Sequence, residues 1–411
     1  MRFATLMTLS CCLLLPSAVG PTVARAGRGS FASPDPAATG QPYAVADLGT
    51  LGGPVSRASA INNAGQVVGF SQLGGRTPAP SVRPGASQPV HAFLWQPGTM
   101  TDLGTLGGAN SFAVDLNDTG QVVGAAENPA GDLHAVRWDH GAIADLGTLG
   151  GDASQAVRIN ASGQIVGLST TAPGQRLGDP GTHAVLWDRG RVTDLGTLGG
   201  TTSRANAIND AGRIVGAAEN AAGEPRAVSW QTGTRSNLGS LPGFSGSAAV
   251  DLNGNGQVVG WVEDAGGAAG SRAGAPPQRQ HAVLWNHGTP TDLGTLGGAR
   301  SQAFGLNTAD QVVGLSEPAA GADAPHAIGP TDAPVGPHEH AFLWASGTMT
   351  DLNGQLAAGS AWDLIGAGGI NRDGRIVGSG LTKGHEHAVL LPPQDAGATP
   401  ARGTPLPSGS A

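Results

Sequence analysis

The segment Asp-Leu-Gly-Thr-Leu-Gly-Gly recurs at Asp47, Asp102, Asp145, Asp194 and Asp292, with degraded copies beginning at Asn237 and Asp351. Successive copies start 55, 43, 49, 43, 55 and 59 residues apart, so a minimal unit of 43 residues carries insertions in some copies. A period of this length marks a repeat architecture, in which each unit is one supersecondary element that buries its apolar surface only against its neighbours. Each unit has three further landmarks: a small-residue stretch ending in Asn (Ser111 to Asn117), Gly-Gln-Val-Val-Gly (Gly120 to Gly124) and His-Ala-(Val/Phe)-Leu-Trp (His91 to Trp95). Four short apolar runs per unit predict four strands. One pattern running through nearly all 411 residues argues for a single body, and 68 glycines with 13% charged residues favour short strands and turns over amphipathic helices.

The Asn of the first landmark stands in all seven units, at Asn62, Asn117, Asn160, Asn209, Asn253, Asn307 and Asn371. Three residues later comes Gly, or Asp310 in the sixth unit. Asn and Asp bond their own backbone in turns and tolerate positive φ, so Asn-x-x-Gly reads as a tight hairpin. Runs such as Ala184-Val-Leu-Trp187 are apolar without alternation, which requires cover on both faces. The recurring tryptophans, Trp95, Trp138, Trp187, Trp230, Trp285 and Trp344, with Leu391 in the seventh place, are expected in the core.

The two ends of the repeat region complement each other. It begins at Tyr43 with an aspartate strand that no His-Ala strand precedes, and it ends at His387-Ala-Val-Leu-Leu391 with no aspartate strand after it. The fold expected is all-β: a seven-bladed β-propeller of four-stranded antiparallel blades over residues 43–393, closed by N- and C-terminal strands pairing in one blade. In this phase the small-residue strand is innermost and the aspartate strand outermost.

Outside the repeats, Arg2, an apolar run from Leu6 to Leu15 and Ala24-Arg25-Ala26 read as a signal peptide over 1–26, followed by a flexible segment 27–42. Export is therefore expected, to the periplasm or beyond. Both cysteines, Cys11 and Cys12, lie in the leader. The tail from 394 has a composition suited to disorder. A net charge of -8 and a single lysine, Lys383, leave no basic stripe for nucleic acid, and no later run is long enough for a membrane span.

His91-Ala-Phe-Leu-Trp95, His340-Ala-Phe-Leu-Trp344, Asp-Leu-Gly-Thr-Leu-Gly-Gly and Asn-x-x-Gly-Gln-Val-Val-Gly together resemble the HAF family of bacterial extracellular repeats, over roughly residues 43 to 391. The resemblance implies export and a repeat scaffold and brings no catalytic residue with it. Two departures are Arg226 in place of the His and Asn237-Leu-Gly-Ser-Leu-Pro-Gly243 in place of the glycine-rich segment.

Histidine recurs at one position in six units (His91, His134, His183, His281, His340, His387), which favours a structural role in bonding a neighbouring backbone group over catalysis. His338-Glu339-His340 and His385-Glu386-His387 offer alternate imidazoles without a third metal ligand. Asp115-Leu-Asn117-Asp118 and Asp251-Leu-Asn-Gly-Asn255 echo calcium loops but lack the later bidentate glutamate, so hairpin turns explain them better. No cofactor or metal is expected.

Strand parity places the second-to-third and fourth-to-first connections at one end and the Asn-x-x-Gly hairpins at the other. The long insertions, residues 71–90, 168–182, 261–280 and 315–339, all fall at the first of these ends. Loops on a rigid scaffold are the usual place for binding. The function expected is a monomeric, non-enzymatic scaffold that binds glycan or protein there, with Trp261 and Trp362, which lie off the repeated Trp position, as candidate contacts. The alternative is a secreted polysaccharide hydrolase or lyase with its site near the axis.

Overall fold

The computed structural model describes residues 43–74, 88–231, 233–264, 279–320 and 339–392. The expected leader (1–26), the segment 27–42, the tail from 394 and most of the insertions at 71–90, 261–280 and 315–339 lie outside the described residues. Strands dominate; the one helical element among the described residues is a single 3-10 turn, Asn353–Gln355, and no helix is long and apolar enough to cross a membrane.

Each sheet is named here by its turn asparagine. The Asn160 sheet is typical: Ser154–Ile159, Ile165–Thr170, Thr182–Asp188 and Arg191–Asp194 pair antiparallel in that order. The Asn62, Asn117 and Asn209 sheets repeat this order. The Asn253 and Asn307 groups do so too, joined by one parallel bridge between Gln280 and Arg300 into an eight-stranded sheet. In the Asn371 sheet, Asp363–Ile370, Ile376–Thr382 and His385–Leu391 are followed by Ala46–Asp47, with Ala46 opposite Leu390 and Asp47 opposite Val389. The strand that completes this sheet thus comes from the opposite end of the repeat region.

The first strand of each sheet packs beside the first strand of the next, from Gly52–Ile61 through to Asp363–Ile370 and back to Gly52–Ile61. These are the inner strands, and each carries a bulge near its middle, as between Ala113 and Asp115. The bulge dictates the second glycine of Gly-Gln-Val-Val-Gly: a Cβ on Gly124 would run into the carbonyl oxygen of Phe112, and one on Gly167 into that of Gln155. The Asn-x-x-Gly turns have the expected backbone, with Gly163 at φ 78° and Asp310 at φ 60°.

The turn asparagines do more than close hairpins. Each Oδ1 accepts the N–H four residues on, at 2.9–3.1 Å. Each Nδ2 donates to the carbonyl of the next asparagine at 3.1–3.4 Å, Asn62 to Asn117 and so on to Asn371, which donates to Asn62. Serines at the opposite end of the inner strands tie the sheets a second time: the Ala135 N–H donates to Ser154 Oγ at 2.9 Å, and the Ala388 N–H to Ser56 Oγ at 3.0 Å.

Apolar side chains fill the spaces between sheets. Val123 and Ala135 of one sheet pack with Ala156, Ile159, Ile165, Val185 and Trp187 of the next, and Leu48, Ala58, Val67 and Phe93 pack with Val377 and Ala388. Trp138, Trp187, Trp230 and Trp285 are buried as expected, whereas Trp95 and Trp344 are only partly so. We expect Trp187→Ala to cost about 3–5 kcal/mol, read from a reversible denaturant melt; a loss under about 1 kcal/mol would mean that the indole does not hold these two sheets together.

Candidate functional site

Counted back from its asparagine, an inner strand has positions that repeat and positions that do not. Alanine stands four residues back in every unit, and serine six back in all but the last, where Ile365 replaces it. Five back, by contrast, the residues are Arg57, Phe112, Gln155, Arg204, Ala248, Gln302 and Gly366; two back, they include Asp115, Arg158 and Asp251. The repeated positions make the same contact with the neighbouring sheet in unit after unit, so the scaffold demands them. The divergent ones are free to differ, and that freedom marks where function can sit.

The residues two back lie near the hairpin end and bridge the centre. Arg158 reaches Asp251 at 2.7 Å, passing over the Asn209 sheet between them, and lies 3.5 Å from Asp115. The Asp115 carboxylate also accepts the Ile159 N–H at 3.0 Å, and that of Asp251 the Leu306 N–H at 3.1 Å. Burial holds both carboxyls above their usual range, and Arg158 opposes part of that rise. The two sequences that echo calcium loops therefore spend their leading aspartates on an arginine and on backbone. Sequence reasoning missed this cluster; its signal was opposite charges at one repeat position of different units.

The residues five back lie toward the loop-bearing end. The Arg57 guanidinium pairs with Glu386 at 2.6 Å and sits 6.0 Å from the centroid of Phe70, which meets Phe112 edge to face at 5.5 Å. Gln302 donates to Gln280 of the preceding sheet, and Arg300 pairs with Glu339 at 3.1 Å. Trp261 is 4% exposed and packs with Ala217, Ala248, Val250 and Phe304. Trp362 is half-buried just before Asp363–Ile370, its ring centroid 6.3 Å from that of His387. The two candidate tryptophans are thus not brought together.

The repeated histidines bond a side chain and not the backbone group expected. His Nδ1 meets an aspartate carboxylate on the outer strand at 2.7–2.9 Å in His91–Asp102, His134–Asp145, His183–Asp194, His281–Asp292, His340–Asp351 and His387–Asp47. The other carboxylate oxygen caps the N–H two residues on, as Asp194 does for Gly196 at 2.7 Å. Where Arg226 replaces the histidine, Asn237 replaces the aspartate and keeps this cap, accepting the Gly239 N–H at 2.8 Å. Of the two His-Glu-His runs, Glu386 and Glu339 are committed to arginines, and His338 lies outside the described residues.

A glutamate stands last or last but one in the second strand of four units. Glu127, Glu219 and Glu317 turn their carboxylates onto N–H groups of the linker entering their sheet, at Ala109, Thr201 and Ala299 among others. The corresponding linker before Gly246 is the degraded one, and Glu263 is pushed up to about 7 by burial and then by the adjacent Asp264 charge. A carboxyl raised in the folded state stabilises fully below its unfolded value of 4.5, and that contribution fades as pH climbs through 7. Glu263→Gln removes the effect. The stability of the variant relative to the parent should rise by on the order of 3 kcal/mol between pH 4.5 and pH 8, as measured by denaturant melts across that range; a difference independent of pH would contradict the assignment.

No protein-family model matches the chain, and no curated protein matches it in sequence. Among solved structures it is similar to XC5397 from Xanthomonas campestris, a gluconolactonase, with TM-score 0.35 and 14% identity over 69% of this chain and 95% of that one. It is similar to TolB from Acinetobacter baumannii with TM-score 0.37 and 12% identity over 80% of each chain. A puromycin-hydrolyzing peptidase from Mycobacterium tuberculosis gives TM-score 0.45 and 10% identity over 82% of this chain and 52% of that one, so the chain spans about half the peptidase's length. Likenesses of this size assign no activity to the chain, and its function is argued from its own residues.

Proposed function

We propose that the chain is a closed seven-bladed β-propeller of the HAF type, exported and monomeric, that works as a non-enzymatic scaffold binding a ligand at its loop-bearing end. Closure is supported by the pairing of Ala46–Asp47 with His385–Leu391, by the Asn371 to Asn62 bond and by the His387 to Asp47 contact. The observation that carries the binding role is the contrast between the two ends of the inner strands. At the hairpin end, asparagines repeat without exception and an arginine holds two acids across the centre. At the other end, aromatic, amide and ion-paired side chains replace one another from sheet to sheet, and the sequence insertions all enter there.

The acids and imidazoles are committed in ways that favour binding over turnover. Asp115 and Asp251 are held by one guanidinium and by backbone N–H groups, and six histidines are tied to aspartates on the outer strands. A general base needs a pose near a reacting proton and a tuned neighbourhood at one place, which a sixfold repeated pair at the periphery does not offer.

Two measurements test this reading. Directly opposed antiparallel residues have Cα atoms about 4.5–5.5 Å apart, within disulfide range, so Ala46→Cys with Leu390→Cys should cross-link within one chain under mild oxidation; two thiols that stay free would overturn closure. Glycan and peptide arrays probed with the purified chain should show retention of a ligand, while incubation with polysaccharides should release no sugars. Release of reducing or unsaturated ends would instead favour the hydrolase or lyase.

A further inference from the structure

The inner strand of the Asn371 sheet carries Gly366 at the five-back position, where five of the other six sheets carry a larger side chain than alanine. In the Asn62 and Asn307 sheets the same position holds Arg57 and Gln302. Each of these reaches the residue just before the repeated histidine of the preceding sheet, Glu386 and Gln280 respectively. The corresponding partner for position 366 is Glu339, which is held from its own sheet by Arg300. The strand shifts register between Leu364 and Gly366, yet a Cβ built on Gly366 meets nothing within 4 Å and its φ lies outside the left-handed region, so crowding does not call for glycine there. Gly368 and Gly369 differ: added Cβ atoms there would lie 3.2 Å and 3.6 Å from the Ser59 carbonyl oxygen, and close approach of strands explains them.

Gly366 itself is half-buried. Second and third strands of the Asn371 sheet are joined by a tight turn at Lys383 and Gly384, with φ 49° and 79°. Water reaches two ion pairs of this region: Arg300–Glu339 in the preceding sheet, with side chains 36% and 23% exposed, and Arg57–Glu386, which joins the Asn62 and Asn371 sheets, at 23% and 14%. Phe70 and Phe112 extend the Arg57 side as a half-buried aromatic pair.

We propose, on the basis of the binding role argued above, that the space over Gly366 is a subsite for one ring of a neutral saccharide. Each hydroxyl of a sugar both donates and accepts, and an arginine–carboxylate pair offers donors and acceptors side by side. An ionic ligand would have to break a pair to gain a partner, leaving the other charge uncompensated in a partly buried place. The phenylalanine faces suit the apolar C–H side of a sugar ring, as aromatic side chains with one wet edge commonly do at binding surfaces.

Gly366→Leu tests this with little risk to folding, because the added side chain enters open space. Gly254, in a hairpin at the opposite end, also has nothing within 4 Å of an added Cβ, so Gly254→Leu is the matched control. Glu339→Gln keeps the shape of the subsite while removing one charge-assisted acceptor. Titration calorimetry uses the purified chain with cellohexaose, xylohexaose, maltohexaose, laminarihexaose and mannohexaose. The expected result is binding of at least one of them, weakened about tenfold or more by Gly366→Leu and by Glu339→Gln and unchanged by Gly254→Leu. If the parent binds and Gly366→Leu binds equally well, the subsite is wrong while the scaffold reading stands. If the parent binds none of the five but retains peptides on an array, the saccharide assignment falls to a polypeptide ligand. If it retains nothing on either, both fall.

Discussion

The amide-to-carbonyl bond from one turn asparagine to the next sets the spacing of everything else. Asparagine is the residue that can make it. Its Oδ1 must accept the N–H four residues on while its Nδ2 donates across to the neighbouring turn, as Asn160 does to Gln164 and Asn209. Aspartate would bring a second acceptor and a charge against a carbonyl oxygen, and glutamine would carry the amide past both partners. These amides are nearly all buried, where an unmade hydrogen bond costs more than a made one gains. Each sheet therefore dictates where the next inner strand begins.

In every sheet but the Asn371 one, the serine six residues back performs the same service at the far end of the strand, and the alanine between them lets the inner strands approach. With both ends fastened, the space between sheets has a set width, which aliphatic side chains and one tryptophan fill. The outer strands are attached more lightly, by a four-residue ladder and the His–Asp contact. That contact is half-exposed and belongs with surface pairs worth less than about 1 kcal/mol, so its persistence through six sheets reflects the shape of the Asp-Leu-Gly turn more than energy. One carboxylate serves both the turn and the imidazole, and the paired change to Arg226 and Asn237 shows the two functions separating: asparagine keeps the turn acceptor after the histidine is gone.

Much of this architecture was legible in the residues because local chemistry decides it. Hairpins follow from Asn-x-x-Gly, and the left-handed Asp310 follows from what aspartate tolerates. Strand count follows from four apolar runs, and the complementary strands at the ends of the repeat region pointed to Ala46–Asp47 beside His385–Leu391. Contacts between units were harder to see. The partner of a histidine lies eleven residues along, or at the other end of the chain for His387 and Asp47, and only the joint loss at Arg226 and Asn237 betrays it. Arg158 meets Asp251 across the centre, a contact that depends on how inner strands are arranged about one another and not on any spacing within a unit.

The same distinction locates function. A repeat scaffold constrains the positions that make one and the same contact with each neighbouring unit, and those positions stay alike because each faces an equivalent surface. A ligand at the centre faces several units at once and breaks the equivalence, so positions that serve it must differ. Arg57, Phe112, Gln302 and Gly366 occupy one register and share no chemistry, while the serine before them and the alanine after them are kept in almost every unit. Gly366 is the sharpest case, since its φ is ordinary and its surroundings would admit a side chain. Crowding by the scaffold does not account for the unfilled place, and the proposed saccharide would.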